Sequence, residues 1–251
     1  MRLALVAAAA CVALFGAGAY AAAPGPSPAI AAALADPARP AEDKAKDEGR
    51  KAAEILAFSG VKAGDKVADV YPGGGYFTRI FAAAVGPKGV VYMFVPAQLE
   101  SSRGKPVDGA KALAAGYKNV QVLVQPTADF KPAEKLDVVF NSQFYHDEYN
   151  PTYGGPDIGK VNKAVFDTLK PGGLYIVIDH SAPAGAGITT IATTHRIEES
   201  AAKSALQAAG FQLVSESQML RNPDDKRDLN VFQPAIRGKT DQFVLRFKKP
   251  G

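Results

Sequence analysis

Short apolar runs alternate with amphipathic stretches of helical length over most of this chain. The apolar runs predict strands, and they lie at 66–71, 89–95, 119–124, 136–140, 174–178, 211–214 and 242–248. The amphipathic stretches predict helices, and they lie at 42–58, 76–85, 108–115, 158–169 and 197–209. Strands that are apolar throughout, rather than alternating, are typical of a parallel sheet buried on both faces. The pattern therefore predicts an α/β fold with helices on both faces of the sheet.

The last two predicted strands differ from the others because no helical pattern separates them. The connection carries the charged run 222–228 and Pro234, which predict a loop. A parallel return would need a crossover helix, so we expect the final strand to run antiparallel. The sequence thus predicts a seven-stranded, mostly parallel sheet with an antiparallel last strand.

The amino-terminal segment is nearly free of charge. Arg2 is the only charged residue among the first 35, and an uncharged run follows it from Leu3 to Tyr20. Small residues around Tyr20 form an A-x-A site, so residues 1–21 are predicted to be a signal peptide and the protein to be exported to the periplasm. The alternative is an uncleaved anchor, but the strongly apolar part is shorter than the ~20 residues that a span requires.

The remaining chain divides into an Ala/Pro-rich lead-in at 22–40, predicted to be flexible, and one domain at 41–251. Its composition is that of a globular protein, with 47% hydrophobic and 22% charged residues. The net charge of +4 comes without a basic stripe, so nucleic acid is not an expected partner. Cys11 is the only cysteine and lies in the predicted signal, so the mature chain has no disulfide.

In an open α/β sheet, ligands bind beyond the carboxyl ends of the strands. The first strand carries Asp69 near its end, and the turn Gly73-Gly74-Gly75 leads into a helix at Tyr76. Glycines permit positive φ and close backbone approach, and free N–H groups at a helix start can bind a polar ligand. The alternative is a plain tight turn. A nicotinamide-binding G-x-G-x-x-G is not present, because Thr78 stands at the last position.

Several motifs resemble class I S-adenosylmethionine-dependent methyltransferases. Residues 69–75 resemble their motif I, 169–179 resemble the turn and fifth strand, and 208–211 resemble the last helix-to-strand junction. The resemblance covers about residues 50–249. More narrowly, the motifs at 72–78, 179–181, 195–197 and 237–243 resemble a little-studied group of exported, predicted methyltransferases. This resemblance implies a Rossmann-like fold, S-adenosyl-L-methionine as cofactor, and methyl transfer to a small-molecule O or N acceptor.

The resemblance also implies a cofactor site, with two departures from the family pattern. The implied residues are Asp69, Tyr71, Gly73, Gly74, Gly75, Gln98, Asp129 and Asn141. Tyr71 stands where the family has its first glycine. The second strand lacks the acidic residue that holds the ribose hydroxyls, and Gln98 is the nearest substitute. Asp129 fits the adenine contact, and its alternative role is a helix cap or turn.

The candidate catalytic residues follow the fourth strand, where His146 stands beside Asp147. Histidine can take a proton near neutral pH, so His146 is a candidate base with Asp147 as its orienting carboxylate. The alternative is an ordinary hydrogen-bonded loop histidine. The candidate substrate residues are Tyr145, Tyr149, His180, His195 and Arg196. The two tyrosines belong to an aromatic loop at 144–157 that could cover a pocket or form rigid surface. His195 and Arg196 could bind an anionic group of the substrate or cap the following helix.

The three histidines, with Asp147 and Asp179, could in principle bind a metal, but no short metal-ligand spacing supports this. The sequence therefore predicts no metal site. An alternative function is that of an exported binding protein with a methyltransferase fold and no activity, favoured by the missing ribose carboxylate and by a cofactor that is made in the cytoplasm. The acceptor and the oligomeric state stay open.

Overall fold

The computed structural model describes residues 27–100, 105–150 and 157–251, and the predicted signal peptide lies outside them. Seven strands form a single sheet. They are β1 (Lys66–Val70), β2 (Val90–Pro96), β3 (Val120–Gln125), β4 (Leu136–Ser142), β5 (Leu169–His180), β6 (Gln212–Ser217) and β7 (Gln242–Lys248). All seven predicted strands are present, and β7 has the predicted bounds.

The strand order in the sheet is β3-β2-β1-β4-β5-β7-β6. The first five strands are parallel to one another, whereas β7 pairs antiparallel with both β5 and β6. The predicted mostly parallel sheet with an antiparallel last strand is therefore confirmed. The order reverses at β1, and the register places Val70 beside both Phe94 of β2 and Asn141 of β4. The carboxyl ends of these strands thus meet at one edge, where an open sheet binds ligands.

Helices cover both faces of the sheet, as predicted. They are α1 (Pro28–Ala35), α2 (Ala41–Lys44), α3 (Ala52–Ser59), α4 (Tyr76–Val85), α5 (Pro106–Ala114), α6 (Ile158–Thr168), α7 (Ile191–Thr194) and α8 (Glu199–Ala208). Apolar side chains of α1, α3, α4 and α5 form one buried cluster with one face of the sheet. Those of α6 and α8 form a second buried cluster with the opposite face. The inner strands are thus covered on both faces, which explains their apolar sequences, whereas the edge strands β3 and β6 are only partly buried.

The predicted helix at 42–58 is divided into α2 and α3. Lys51, which precedes α3, has a left-handed backbone with φ 53°. The intervening turn is held by Asp47, whose carboxylate accepts hydrogen bonds from Arg39 at 2.5 and 2.9 Å and from the Tyr76 hydroxyl at 2.6 Å. A continuous helix was the wrong prediction here because these long-range bonds outweigh local helical propensity.

The lead-in predicted to be flexible also contains ordered structure. Its residues 28–35 form α1, which starts with a proline in the first turn and a Ser27 cap at 3.4 Å. The helix packs against α3 and α4. Tertiary packing therefore orders a segment whose composition alone favoured a linker. Throughout the described ranges, no helix combines the length and apolarity needed to cross a membrane.

Candidate functional site

The glycine turn between β1 and α4 leaves open space at the carboxyl edge of the sheet. Gly73 and Gly75 have φ of +55° and +75°, which L side chains rarely adopt. A Cβ added at Gly73 or Gly74 would meet no described heavy atom within 4 Å. A Cβ at Gly75, in contrast, would lie 2.1 Å from Leu113 Cδ1 of α5. The backbone at Gly73 and Gly74 therefore borders open space, whereas the backbone at Gly75 packs against Leu113 of α5.

Asp69 lies beside this turn, with only 3% of its surface exposed. The Thr78 hydroxyl of α4 donates a hydrogen bond of 2.6 Å to its carboxylate. Burial raises the pKa of the Asp69 carboxyl to about 7, although the bonds from Thr78 oppose the shift. A cationic ligand group bound in the cleft would therefore favour the ionised form of this carboxyl by charge attraction.

Arg50 faces the same cleft, and the sequence did not identify it as a candidate. Its guanidinium lies over the rings of Tyr76 and Phe77, at 4.4 and 5.4 Å from their centroids. The residue falls inside the predicted helix at 42–58, where a charged side chain indicates only a solvated face. The neighbouring Gly49 was the available signal that the helix breaks here.

Two adjoining spaces lie along this edge of the sheet. The first, here the glycine-turn cleft, has a volume of ≈ 220 Å³, and Asp69, Tyr71, Gly73 and Gly74 are among its lining residues. The second, here the histidine-side cavity, has a volume of ≈ 330 Å³, and His180, Phe232, Arg237 and Thr240 are among its lining residues. Both are lined by Arg50, Phe77, Ser142 and Gln143. The shared wall makes them two lobes of one site.

Tyr71 forms a wall of the glycine-turn cleft, as the sequence allowed. Its φ of 47° lies in the left-handed region, where a non-glycine residue is strained. Its ring lies against Phe144 with centroids 4.5 Å apart. The aromatic contact supports a backbone conformation that glycine would adopt without cost, and the ring narrows the cleft.

The residues predicted to hold a nucleoside are only partly brought together. Gln98 lies beside Thr127, whose hydroxyl accepts a hydrogen bond of 3.3 Å from Gln98 Nε2. Gln98 Oε1 is buried and has no hydrogen-bond partner among the described residues. Asp129 is exposed and lines a separate cleft with Lys131. Thr127, which the sequence analysis passed over, is therefore the residue of this turn that faces Gln98.

Asn141 was also predicted to hold the cofactor, and the structure places it in the core. It has no exposed surface, and its Nδ2 donates to the Tyr175 hydroxyl at 3.4 Å. Asn141 is the penultimate residue of β4, so its side chain is covered by the second buried cluster rather than facing the cleft. The glycine-turn cleft is lined instead by the two residues that follow, Ser142 and Gln143.

His146 is oriented by a carboxylate, but by Asp179 rather than by the predicted Asp147. Its Nδ1 lies 2.8 Å from Asp179 Oδ1, and its backbone N–H donates to Asp179 Oδ2 at 2.7 Å. Burial disfavours a charge on His146, but Asp179, with Asp147, more than compensates and raises its pKa above the usual value. Asp179 is the last residue but one of β5, so the sequence could not show which carboxylate would reach the ring.

His195 and Asp147 meet on the other side of the His146 ring. His195 Nδ1 lies 3.3 Å from His146 Nε2, and Asp147 Oδ1 lies 3.4 Å from each of these nitrogens. The His195 backbone is left-handed, with φ 53°, which turns the ring toward the other two groups. The two histidines lie 49 residues apart in sequence. The fold thus brings them together at this edge of the sheet.

His180 belongs to the same edge and is nearly buried. Its Nδ1 lies 2.8 Å from the Thr240 hydroxyl, and the ring lines the histidine-side cavity. Burial lowers the pKa of His180 to about 4. His180 is therefore neutral at pH 7 and can offer a hydrogen bond, but no charge, to a bound substrate.

The aromatic loop only partly reaches the site. Tyr145 is fully buried, and its hydroxyl accepts a hydrogen bond of 3.0 Å from Asn162, so it is a core residue rather than a substrate contact. Tyr149 is half-buried, with its ring 5.9 Å from that of Tyr145. The rest of the loop at 151–156 lies outside the described residues.

Arg196 does not face the cavity either. The side chain has no exposed surface and forms a bidentate ion pair with Asp225 at 2.8 and 3.2 Å. Its Nε and Nη1 also donate to the Leu229 and Ser181 carbonyls, at 3.0 and 3.1 Å. Its bonds to Asp225 and Leu229 hold the loop between β6 and β7, and the bond to Ser181 ties this loop to the end of β5. The predicted contact with an anionic substrate is not what the structure shows.

Comparisons with known proteins agree with this architecture. No model of a known protein family matches the chain. A protein-L-isoaspartate O-methyltransferase of Ignicoccus hospitalis is 30% identical over 128 residues, which are 50% of this chain and 52% of that protein. The chain thus matches about half the length of this curated relative.

Two solved structures are similar over most of the chain. One is a SAM-dependent methyltransferase from Aquifex aeolicus, with a TM-score of 0.56 and 19% identity over 84% of this chain and 98% of that one. The other is a Burkholderia thailandensis 1,6-didemethyltoxoflavin-N1-methyltransferase, with a TM-score of 0.54 and 15% identity over 81% and 78%. The sheet order and these similarities together show that the chain has the Rossmann-like fold of class I methyltransferases.

Proposed function

We propose that this protein is an S-adenosyl-L-methionine-dependent methyltransferase that acts on a small-molecule O or N acceptor. The observation that carries the proposal is the buried Asp69 carboxyl next to an open glycine turn at the end of β1. The strand order reverses at this point, which is where an α/β sheet binds its ligand. The Burkholderia structure holds S-adenosylhomocysteine, the demethylated cofactor, on the same fold.

The side chains present fit such a cofactor. Asp69 would hold its ammonium group and Arg50 its carboxylate, because both line the glycine-turn cleft. The open backbone at Gly73 and Gly74 leaves room for close approach. Gln98 does not line the cleft, but its Oε1 has no hydrogen-bond partner among the described residues and is the acceptor at the end of β2 that a ribose hydroxyl would use. The cofactor supplies an electrophilic methyl group, and the protein supplies binding and orientation.

Gly74 allows a direct test of cofactor binding. Gly74→Leu would place a side chain in open space, at a backbone conformation outside the left-handed region. We therefore expect the fold to stay intact while the affinity for S-adenosylmethionine falls at least about tenfold, because the leucine occupies the cleft. Isothermal titration calorimetry with S-adenosylmethionine and S-adenosylhomocysteine measures the change.

Gly109→Leu is the matched control. Gly109 lies in α5, and a Cβ there also meets no described heavy atom within 4 Å, but Gly109 does not line the cleft. The control should bind both ligands as the wild type does. Equal binding by the wild type and Gly74→Leu, or no binding by the wild type at millimolar ligand, would contradict the proposal.

The alternative proposal is a binding protein that has this fold and no methyltransferase activity. Tyr71 narrows the cleft, and the end of β2 offers Gln98 where the resemblance leads us to expect a carboxylate. Both features weaken the case for tight nucleoside binding. Binding of S-adenosylmethionine without methyl transfer to any acceptor in a screened library would favour this alternative.

We also propose that the protein is exported to the periplasm, in keeping with its resemblance to exported methyltransferases. The support is the basic start, the apolar run and the A-x-A site in residues 1–21. The chain purified from its native host should begin at Ala22, and mass spectrometry of the intact protein checks this. A mass that includes residues 1–21 would argue for retention in the membrane or the cytoplasm.

A further inference from the structure

Three potential metal ligands converge between β4 and the loop that follows β5. His146 Nε2, His195 Nδ1 and Asp147 Oδ1 form a nearly equilateral triangle, with sides of 3.3, 3.4 and 3.4 Å. His146 and Asp147 are at least nine-tenths buried. At these distances strong hydrogen bonds cannot join every pair of the three atoms. The lone pairs of acceptor atoms this close repel one another unless a proton or a cation lies between them.

The hydrogen bonds around this triangle supply fewer protons than its acceptor atoms can use. The Asp179 carboxylate accepts the backbone N–H groups of His146 and His180, each at 2.7 Å, so it also accepts from His146 Nδ1. Because Nδ1 faces Asp179, the other ring nitrogen of His146, Nε2, faces Asp147 and His195. Asp147 Oδ1 is buried and receives no hydrogen bond from any residue that the structure describes. A single proton on His195 could satisfy only one of these acceptors.

A cation at the centre would satisfy all three atoms, and the distances match one coordination geometry. Bonds of about 2.0–2.1 Å to nitrogen and oxygen in a regular tetrahedron separate the ligand atoms by roughly 3.3–3.4 Å. Octahedral neighbours at such bond lengths would be only about 3 Å apart. We propose that His146, His195 and Asp147 form a binding site for a tetrahedral divalent cation, with Zn²⁺ as the best fit.

The surroundings of the triangle suit this assignment. Asp179 holds the distal nitrogen of His146 at 2.8 Å, which is the carboxylate–histidine–metal arrangement that fixes a ligand's tautomer and orientation. Two imidazoles and one carboxylate favour zinc over Mg²⁺ or Ca²⁺, which prefer oxygen ligands. His180 is not a ligand, because its ring lies 6.0 Å from that of His146 and its Nδ1 bonds to Thr240.

Three protein ligands leave a fourth position open, as in catalytic rather than structural zinc sites. The His195 ring lies 5.0 Å from that of Phe232, which lines the histidine-side cavity together with His180. The open position would hold water or, in a step that rests on the proposed function, a hydroxyl of the methyl acceptor, whose pKa the cation would lower. The cation, rather than His146 as a base, would then activate the acceptor.

The test is metal binding to the full folded chain, purified without a polyhistidine tag and stripped with a chelator. The chain contains only three histidines, so a tag would dominate the signal. Titration calorimetry with ZnCl₂ should give one site of micromolar or tighter affinity. His195→Ala and Asp147→Ala should each weaken it about 100-fold, and Asp179→Asn about 10–100-fold. His180→Gln is the matched control and should bind zinc as the wild type does.

Two further measurements separate a lost ligand from a lost fold. Circular dichroism shows whether each apo variant is folded, and zinc should raise the melting temperature of the wild type but not of His195→Ala. Co²⁺ in place of Zn²⁺ should give the strong visible absorption of a tetrahedral site. Unchanged zinc affinity in folded His195→Ala, or no binding by the wild type, overturns the proposal. Because S-adenosylmethionine is absent from these titrations, failure of the proposed function would leave their result unaffected.

Discussion

Replacing Asp69 by asparagine is expected to change the free energy of unfolding, relative to the wild type, in a pH-dependent way. The variant should gain about 2–3 kcal/mol more over the wild type at pH 8 than at pH 5. The physical reason is burial, which raises the pKa of the Asp69 carboxyl to about 7 in the folded state, while the unfolded chain has the ordinary value of 3.8. The amide oxygen of asparagine can still accept the 2.6 Å hydrogen bond from the Thr78 hydroxyl. The free energies of unfolding in urea at the two pH values measure the effect.

The sign follows from the protons bound in each state. Between the two pKa values the folded state keeps the Asp69 proton and the unfolded state has lost it, so the stability of the wild type falls as the pH rises through this window. Asparagine does not titrate, so the stability of the variant does not fall with pH for this reason. A stability difference between Asp69→Asn and the wild type that is the same at pH 5 and pH 8 would show that the buried carboxyl has an ordinary pKa.

The same variant should bind S-adenosylmethionine about 10- to 100-fold more weakly, because it loses a charged hydrogen-bond partner for the ammonium group. Asp129→Asn makes the same chemical change at an exposed residue outside the cleft. It should leave the affinity unchanged. A large loss of affinity in Asp129→Asn would show that the adenine contact implied by the family resemblance is right.

The second large effect is expected at the Arg196–Asp225 ion pair. Asp225→Ala should destabilise the protein by about 3–5 kcal/mol, because it leaves a fully buried guanidinium without its carboxylate. Asp225 also accepts hydrogen bonds from the backbone of Asp241 and Arg227, at 2.7 and 2.9 Å. The alanine variant therefore loses the ion pair and these two backbone hydrogen bonds together. Equilibrium unfolding in urea measures the loss.

Asp224→Ala is the control for this prediction. Asp224 is the neighbouring residue and is exposed, so its removal should change the free energy of unfolding by no more than about 0.5 kcal/mol. The loop that Asp225 holds leads to Phe232 and Arg237, which line the histidine-side cavity. Similar unfolding energies for the two variants would mean that water reaches Arg196 and replaces the lost partner.

The fold could be predicted from sequence because its signals are local and repeated. Most strands contain a short apolar run, and the absence of a helical pattern between residues 214 and 242 already indicated the antiparallel return of β7. The errors arose where distant residues decide local structure. Asp47 breaks a predicted helix because Arg39 and Tyr76 bind it, and α1 is ordered by packing against α4. Neither effect is visible in a window of neighbouring residues.

The candidate site was predicted only in outline. Asp69 and the glycine turn could be placed because strand ends have fixed positions in this class of sheet. The direction of a side chain depends on packing that the sequence does not reveal. Thus Asp179 rather than Asp147 orients His146, and Tyr145 and Arg196 face the interior. Arg50 was missed because its role depends on the break between two helices.

The contact between Gly75 and Leu113 constrains how this protein can diverge. A methyl group at residue 75 would lie 2.1 Å from Leu113 Cδ1, so Leu113 would have to change its rotamer or be replaced by a shorter residue, and the new residue would also have to tolerate a φ of +75°. The two positions are therefore expected to drift together across descendants of this chain.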